Sequence, residues 1–236
     1  MSDAFYRFVR FAGKPIFRLT ARPVIIGLEN IPALSPANPT SGPAGSCLIA
    51  STHESPYDIV ILIAHTPRLI DFISIVEIFR NPIVAWFYGS LNAFPLDRSR
   101  PDAGAVRTIL TRLGAGRVVT MFPEGRLRSG PDSVIHTRKI RPGIGRISML
   151  SRASIIPCVI INSGAYRRPL SWLPLFRTRY GVIYGQPLRP ETFNDRPADM
   201  EQALVDSMLS LHAHLSAAMK QAHGKAPTPT SDARDS

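Results

Sequence analysis

The chain is organised around the stretch Ser51-Thr-His-Glu-Ser-Pro-Tyr-Asp58, in which a histidine, His53, precedes a carboxylate, Asp58, by five residues. The short apolar run Cys47-Leu-Ile-Ala50 leads into this stretch and is typical of a buried strand. A longer apolar run, Ile59-Val-Ile-Leu-Ile-Ala64, leads out of it and follows an aspartate, which favours a helix start. The pattern therefore predicts a turn between a buried strand and a helix.

The predicted turn places an imidazole beside a carboxylate. Pro56 restricts Ser55 to extended backbone geometry, so the turn is stiff and holds the side chains of His53 and Asp58 together. An imidazole paired in this way has a defined tautomer and raised basicity, which suits a general base that acts on a hydroxyl near neutral pH. A surface or capping arrangement is the alternative, and the rest of the chain must decide between them.

The length and composition predict one domain, or a domain with an appendage, that is attracted to anions. The chain has 236 residues, of which 44% are hydrophobic, enough for a full core. Its 28 Lys and Arg residues against 17 Asp and Glu give a formal net charge of +11, which favours nucleic acid, anionic lipid surfaces or phosphorylated substrates as partners. Arginine supplies most of the positive charge, which suits forked contacts to phosphate.

Cysteine spacing and apolar patterning argue against several other classes. Cys47 and Cys158 each lie in an apolar, strand-like run without C-x-x-C spacing, so we expect reduced packing residues in a cytosolic protein and no zinc site. No run reaches about 18 apolar residues, and the N-terminus lacks a continuous apolar core before a small-residue cleavage site. We therefore expect neither a transmembrane helix nor a signal peptide.

Residues 3–14 have helical periodicity within an amphipathic N-terminal segment, residues 1–20. The apolar face holds Phe5, Phe8, Val9 and Ala12, and the basic face holds Arg7, Arg10 and Lys14. Gly13 and Pro15 are expected to end the helix. Such a helix either lies in a membrane interface or docks on the core, and the sequence favours the two equally.

The remaining segments alternate between strand-like and helical patterns. Strands are predicted at residues 22–28, 47–50, 72–76, 93–98, 117–122, 154–161 and 180–184. Helices are predicted after Asp58 and at residues 77–91, 102–115, 141–153 and 199–221. The helical range 77–91 is expected to be broken near Pro82. Residues 32–46 are predicted to be a loop, and Pro157 predicts an edge strand or a bulge. The alternation predicts an α/β fold with a mixed, largely parallel sheet flanked by helices over residues 21–221. Residues 222–236 are expected to be a disordered tail.

Polar groups follow three of the predicted strands. His53 and Asp58 follow the strand at 47–50, and Asp97 and Arg98 stand at the end of the short segment 93–98. Glu124, Gly125, Arg126 and Arg128 follow the strand at 117–122. Because ligands of open α/β sheets bind outside strand ends, we expect one site there. The arginines supply forked donors for a phosphate, and a glycine lets a ligand approach the backbone closely.

In these segments the chain resembles the glycerolipid acyltransferases. Four blocks follow the family's order and separations over about residues 22–190, namely Thr52-His-Glu-Ser-Pro-Tyr-Asp58, Ala93-Phe-Pro-Leu-Asp97-Arg98, Phe122-Pro-Glu-Gly-Arg-Leu-Arg-Ser129 and Ile155-Ile-Pro157-Cys-Val-Ile160, with the family's usual glycine at Gly143. Thr52 stands where asparagine is common. Arg126 stands where threonine is usual, and Leu127 where the phosphate-binding arginine is usual. Arg126 or Arg128 would then take the phosphate, and the acceptor head group stays open.

The resemblance implies an O-acyltransferase in which His53 deprotonates the hydroxyl of a lysophospholipid and Asp58 orients and stabilises the imidazolium. The implied acceptor is 1-acyl-sn-glycerol-3-phosphate, in phospholipid biosynthesis, and the donor is acyl-CoA or an acylated carrier protein. The implied substrate-binding residues are Asp97, Arg98, Phe122, Pro123, Glu124, Gly125, Arg126 and Arg128. Glu124 would bind the glycerol part or fix an arginine, and the alternative for Asp97 and Arg98 is a structural ion pair.

The resemblance also implies an enzyme without a cofactor or metal, bound peripherally to the cytoplasmic face of the cell membrane. Its partners would be lysophospholipid, an acyl thioester, the anionic membrane surface and an acyl carrier protein, and not nucleic acid. Three alternatives stay open. They are an enzyme for another lysolipid or a glycolipid acceptor, a thioesterase-like hydrolase that uses the same base on water, and a basic protein that binds membranes or nucleic acid without catalysis.

Overall fold

The computed structural model describes residues 3–33, 45–97, 102–173 and 177–224. Its strands are β1 (Val24–Ile26), β2 (Cys47–Ser51), β3 (Ile70–Ile75), β4 (Ala93–Leu96), β5 (Val118–Met121), β6 (Ser154–Ile161) and β7 (Gly181–Tyr184). They form a seven-stranded sheet in the order β1-β7-β6-β2-β5-β3-β4, and every pairing is parallel except that of β6 with β7. The predicted mixed, largely parallel sheet is confirmed.

The helices are α1 (Ala4–Thr20), α2 (Asp58–His65), α3 (Pro82–Ser90), α4 (Ala103–Gly114), α5 (Val134–Thr137), α6 (Ile144–Ser151) and α7 (Pro197–Gly224). They cover both faces of the sheet. The alternating residues of β2 show this, because Cys47 and Ile49 pack in one buried cluster with α1 and α2, whereas Leu48 and Ala50 pack in another with α4, α6 and α7. A central parallel strand that is buried on both faces needs the continuous apolar run seen in the sequence.

The parallel pairing of β2 with β5 positions the site. Ala50 lies opposite Met121, so the two strands end side by side. The segments that follow them, residues 52–57 and 122–129, therefore emerge at the same edge of the sheet. The sequence pattern predicted this meeting at the carboxyl ends of strands.

The N-terminal helix is longer than residues 3–14. It continues through Gly13 and Pro15 to Thr20, so the predicted stop at these two residues is wrong. A proline within a helix removes the hydrogen bond to the carbonyl four residues earlier, which here belongs to Phe11, a residue 78% exposed where water can replace the lost donor. Further along the helix, Phe17 and Thr20 are buried, and this packing holds the second half in place.

Pro157 marks neither an edge strand nor a bulge, the two alternatives that were predicted, since the register of β6 with β2 runs through it without a break. It lies within β6, which is paired on both sides, with β2 and with β7. The ladder to β7 begins only at the next residue, Cys158, and Pro157 contributes there as an acceptor, its carbonyl receiving the backbone N–H of Gly185 at 2.8 Å. The N–H and C=O of one strand residue point to the same side, so the N–H that Pro157 lacks would have faced β7. The strand β7 ends beside this position, and the missing donor is therefore tolerated.

Other predicted boundaries need smaller changes. The break near Pro82 is confirmed, since a 3₁₀ turn, Val76–Arg80, precedes α3 and the side chain of Asn81 caps that helix. The helix expected from Arg141 begins only at Ile144, after Gly143 with a φ of 126°. α7 runs to Gly224, three residues into the predicted tail, whose remainder, and most of the predicted loop 32–46, lie outside the described residues.

A buried ion cluster at the opposite end of the sheet joins α1, β3 and the start of β5. The carboxylate of Asp71 has no exposure and receives the Nε and Nη2 of Arg117 at 2.6 Å each, and Nη1 of Arg112 at 3.0 Å. Arg117 also contacts Asp3, at the start of α1, at 3.4 Å. Forked guanidinium–carboxylate bonds of this kind are strong and fix geometry.

We predict that Asp71→Asn lowers the free energy of unfolding by about 3 kcal/mol, because it leaves two arginines without their buried counter-charge. The matched control is Asp199→Asn, since Asp199 pairs with Arg196 at 3.5 Å with side chains 57% and 72% exposed. That exposed pair should contribute less than about 1 kcal/mol. Chemical denaturation of both variants measures the difference, and equal losses would contradict a structural role for the cluster.

Candidate active site

The turn after β2 holds the predicted histidine–aspartate pair. His53 Nδ1 lies 3.0 Å from Asp58 Oδ2, and the same oxygen accepts the backbone N–H of Ser55 at 2.9 Å. Asp58 is the first residue of α2 and is fully buried, where the positive end of the helix dipole favours its negative charge. The turn therefore binds the carboxylate from two sides and aims it at the imidazole.

This pairing defines the tautomer of His53. The N–H on Nδ1 donates to Asp58, so Nε2 carries the lone pair and is the basic atom. The ring stacks on Phe122, with centroids 3.8 Å apart and planes at 16°, and its side chain is 16% exposed. The imidazole thus has one fixed orientation and a route to a ligand.

Glu124 holds the backbone on which the imidazole sits. Its Oε1 accepts the backbone N–H of His53 at 3.1 Å, and its Oε2 accepts that of Val134 at 3.2 Å. The residue is 2% exposed, and burial raises the pKa of its carboxyl. Because both oxygens are engaged by backbone donors, Glu124 acts as a positioning residue behind the site. This role was not considered from the sequence, and the glycerol contact of Glu124 stays a prediction.

A cavity of about 540 Å³ opens beside His53. Its walls are mainly apolar and come from β3, the 3₁₀ turn after it, α3 and the end of β4, with Phe72, Ile73, Ile75, Ile78, Tyr88 and Leu96 among the lining residues. Its volume lies within the range of ligand pockets that enclose most of a bound molecule. The cavity can therefore hold an apolar chain with its reactive end at the imidazole.

The loop after β5 forms the polar side of the cavity. Gly125, Arg126 and Leu127 line it beside His53 and Phe122. Gly125 has a φ of +73°, which a residue with a side chain adopts only under strain. Arg128 supports the site from its main chain, since its N–H donates to the carbonyl of His53 at 2.7 Å, while its Nη1 is 3.4 Å from the carbonyl of Asp132.

The structure brings most of the predicted site residues together. Phe122, Gly125 and Arg126 share the cavity with His53, whereas Pro123 and Glu124 are buried behind it. Asp97 follows β4 and its backbone N–H donates to Asp102 Oδ2 at 3.0 Å, while the preceding Leu96 lines the cavity. Arg98 lies outside the described residues.

Two residues of the turn have structural roles that the sequence did not assign. Ser55 is fully buried and its hydroxyl accepts the N–H of Tyr57 at 3.2 Å, so it shapes the turn and is not a nucleophile. Thr52, which stands where asparagine is common in the family, uses its hydroxyl to accept the N–H of Ile160 at 3.0 Å in β6. A serine three residues before the helix start was the available signal for the first role.

The described ranges contain no cluster of three or more His, Cys, Asp or Glu residues suited to a metal ion. Within the same ranges, none of the helices combines the length and the apolar character that a membrane crossing requires. Both cysteines are buried and free, and burial raises the pKa of each thiol to about 12.

Comparison with known proteins places this geometry in context. The chain is 27% identical over 207 residues to the 1-acyl-sn-glycerol-3-phosphate acyltransferase of Bacillus subtilis, a match that covers 87% of this chain and 93% of that protein. It is 26% identical over 144 residues to the enzyme of the same name from Streptococcus pneumoniae, covering 60% of this chain and 49% of that one.

The fold has a solved counterpart. The crystal structure of the 1-acyl-sn-glycerophosphate (LPA) acyltransferase PlsC from Thermotoga maritima superposes with a TM-score of 0.63 at 18% identity, over 94% of this chain and 81% of that one. The sequence profile of the family described as Acyltransferase matches residues 22–161, more than half of the chain. This span contains His53, Asp58 and the whole loop after β5, and the chain accordingly belongs to the acyltransferase family that its four blocks resembled.

Proposed function

We propose that this enzyme transfers a fatty acyl group from an acyl thioester, acyl-CoA or an acylated carrier protein, to the free hydroxyl of 1-acyl-sn-glycerol-3-phosphate in phospholipid biosynthesis. The observation that carries the proposal is the position of His53. Its ring is held by buried Asp58 and lies at the wall of a largely apolar cavity with an arginine at the rim. The names of the bacterial relatives support the choice of acceptor.

The chemistry follows from the tautomer of His53. Its Nε2 takes the proton from the acceptor hydroxyl while the oxygen attacks the thioester carbonyl. Asp58, bonded to Nδ1, stabilises the imidazolium that forms. The C–S bond then breaks and the thiolate recovers the proton from Nε2, which regenerates the base. General base catalysis of this kind contributes roughly 10²–10⁴-fold, and alignment of the two substrates supplies much of the rest.

The proposed role of His53 as the general base can be tested by substitution. His53→Ala should lower the rate of acyl transfer by at least about 10²-fold while vesicle binding stays near wild type, because the ring contributes chemistry and not docking. The substitution also removes a hydrogen-bond partner of buried Asp58, so the rates are compared at a temperature at which circular dichroism shows both proteins folded. His214→Ala, an exposed histidine on α7, is the matched control and should leave the rate unchanged.

The measurement is a panel of donors against acceptors with products identified by mass. Acylated lipid as the main product supports a transferase, and free fatty acid supports the thioesterase-like alternative. A His53→Ala variant with an unchanged rate would remove the catalytic proposal. A wild-type protein that binds anionic vesicles and turns over no thioester would support the non-catalytic alternative.

The carboxyl of Glu54, next to His53, makes the free energy of unfolding depend on pH. Burial, and then the charges of Asp58 and Glu124, raise its pKa to about 7. In the unfolded chain the group ionises near pH 4.3, so between about pH 4.3 and 7 the native state holds a proton that the unfolded state has lost. This group therefore reduces stability progressively as the pH rises through that window.

We predict that Glu54→Gln, which is neutral at every pH, becomes more stable relative to wild type as the pH rises from 5 to 8. Denaturant titrations at both pH values give the free energies of unfolding. Glu191→Gln, at an exposed position in the 3₁₀ turn Pro190–Phe193, is the control and should show no such trend. Parallel pH profiles for wild type and Glu54→Gln would show that Glu54 titrates normally.

We further propose that the enzyme works as a peripheral protein on an anionic lipid surface, as on the cytoplasmic leaflet of the cell membrane. In α1, Phe8 is 64% and Phe11 is 78% exposed, and in α3, Trp86 is 62% exposed. The two helices are joined through Phe5, whose ring centroid lies 5.2 Å from that of Trp86. The basic residues of α1 add attraction to anionic lipid, in the manner of interfacial helices.

The matching prediction is that Phe8→Ser with Phe11→Ser weakens binding to anionic vesicles by about tenfold or more, because two exposed aromatic rings no longer enter the interface. Point substitutions are preferable to removal of residues 1–14, because Tyr6 in that segment is fully buried. The control is Leu150→Ser, 62% exposed on α6. Flotation with anionic and neutral vesicles at low and high salt measures binding. Equal binding by all three proteins would contradict the proposal.

A further inference from the structure

We propose that Arg141, from the loop before α6, binds the phosphate of the acceptor together with Arg126. This inference rests on the proposed function, because it names the group that holds the head of the lysolipid. In the family, the phosphate-binding arginine usually stands at the position of Leu127, and from the sequence Arg126 or Arg128 was expected to replace it. We assign phosphate binding to Arg141 together with Arg126. The argument starts from Gly125, which lines the cavity beside His53.

The side chain of Arg141 lies directly against Gly125. A Cβ added to Gly125 would overlap Cδ and Nε of Arg141 and would come within 3.1 Å of Cζ. The guanidinium thus occupies the space that a side chain at position 125 would fill. Glycine at this position serves two needs, a φ of +73° and room for the arginine. Arg126, the next residue, lines the cavity, so two guanidinium groups flank the same turn.

The backbone of Arg141 is fixed to this turn as well. Its N–H donates to the carbonyl of Pro123 at 2.8 Å, one residue before Glu124, which holds the backbone of His53. These two hydrogen bonds, one to a main-chain carbonyl and one to the Glu124 carboxylate, therefore link Arg141 to the backbone of His53. The N-terminus of α6 is not the anion site, because the N–H groups of Gly143 and Gly145 already donate to Glu201 Oε1 at 2.7 and 3.0 Å.

The donors of Arg141 are free to bind a ligand. Over the described part of the chain, neither Arg141 nor Arg126 makes a side-chain hydrogen bond or an ion pair with the protein, and both are exposed. The arginines of the Asp71 cluster and Arg128 differ, since Arg112, Arg117 and Arg128 each donate to protein oxygens. Two unpaired guanidinium groups next to one glycine turn can form forked bonds to a phosphate monoester.

Leu127 stands where the family's phosphate-binding arginine is usual, so another residue must supply that charge. It is 45% exposed and lines the cavity, and its aliphatic side chain cannot bind an anion. At the cavity, the loop after β5 therefore offers the guanidinium of Arg126, and a second positive charge must come from another segment. Arg141 supplies that charge from a segment that is distant in sequence and adjacent in space.

The test compares Arg141→Met with Arg146→Met, which removes a matched exposed arginine on α6. Binding of a short-chain 1-acyl-sn-glycerol-3-phosphate and of the phosphate-free monoacylglycerol is measured by calorimetry, and acylation of both is measured with one thioester donor. We expect Arg141→Met to weaken binding of the phosphate-bearing lipid, and to raise its KM, by roughly ten- to a hundredfold, the range of a charged hydrogen bond. The monoacylglycerol should respond the same way in both variants.

A second variant tests the compensation directly. Adding Leu127→Arg to Arg141→Met should restore at least tenfold of the lost affinity, because it returns a guanidinium to the same rim. Melting temperatures near wild type exclude a folding defect for these exposed positions. Equal behaviour of Arg141→Met and Arg146→Met towards the phosphate-bearing lipid, or equal loss for both lipids, would overturn the inference.

The outcomes also separate this inference from the proposed function. If wild type acylates the phosphate-bearing lipid and Arg141→Met does so equally well, the inference fails and the function stands. If wild type binds that lipid in an Arg141-dependent way without acylating it, the function fails and the phosphate site stands. If wild type neither binds nor acylates it, both fail.

Discussion

The structure depends on how one buried carboxylate is satisfied. Asp58 has no exposure, and a buried charge is tolerated only when it is bonded and paired. The turn supplies the Ser55 N–H, the start of α2 and the Nδ1–H of His53, while Oδ1 has no hydrogen-bond partner among the described residues. Such a carboxylate gains most when the imidazole becomes positive, because the attraction is strong in a weakly polar interior. The same contact that closes the turn can therefore stabilise the imidazolium that forms in the proposed reaction.

The loops after β2 and β5 act as one unit because their main chains are bonded to each other. Glu124 receives the N–H of His53, and the carbonyl of His53 receives the N–H of Arg128. The carbonyl of Pro123 receives the N–H of Arg141, which adds the loop before α6. A shift in the base would thus be transmitted to the arginines, and a shift in the arginines to the base. Catalysis by alignment needs this coupling, since small displacements of reacting groups cost large factors in rate.

The sequence predicted the features that are local and missed those that depend on contacts between distant segments. The pairing of His53 with Asp58 was accessible because one stiff turn contains both residues. Pro157 was assigned wrongly because local propensity does not reveal that β7 stops just short of it. The contacts of Glu124 and of Arg141 each connect segments at least ten residues apart in the sequence, so no short stretch of sequence could predict them. The extension of α1 past Pro15 likewise depends on the burial of Phe17.

The balance between transfer and hydrolysis is set by what surrounds Nε2, because an activated histidine deprotonates water as readily as a lipid hydroxyl. Here the ring is 16% exposed, lies against Phe122, and faces a cavity whose walls are mostly aliphatic and aromatic. In the proposed reaction, an acyl chain in that cavity displaces water from the base, and a head group held by Arg126 and Arg141 leaves its own hydroxyl as the nearest proton donor. Without a bound head group, water reaches the base instead. The proposed phosphate contacts would therefore select the nucleophile as well as raise affinity.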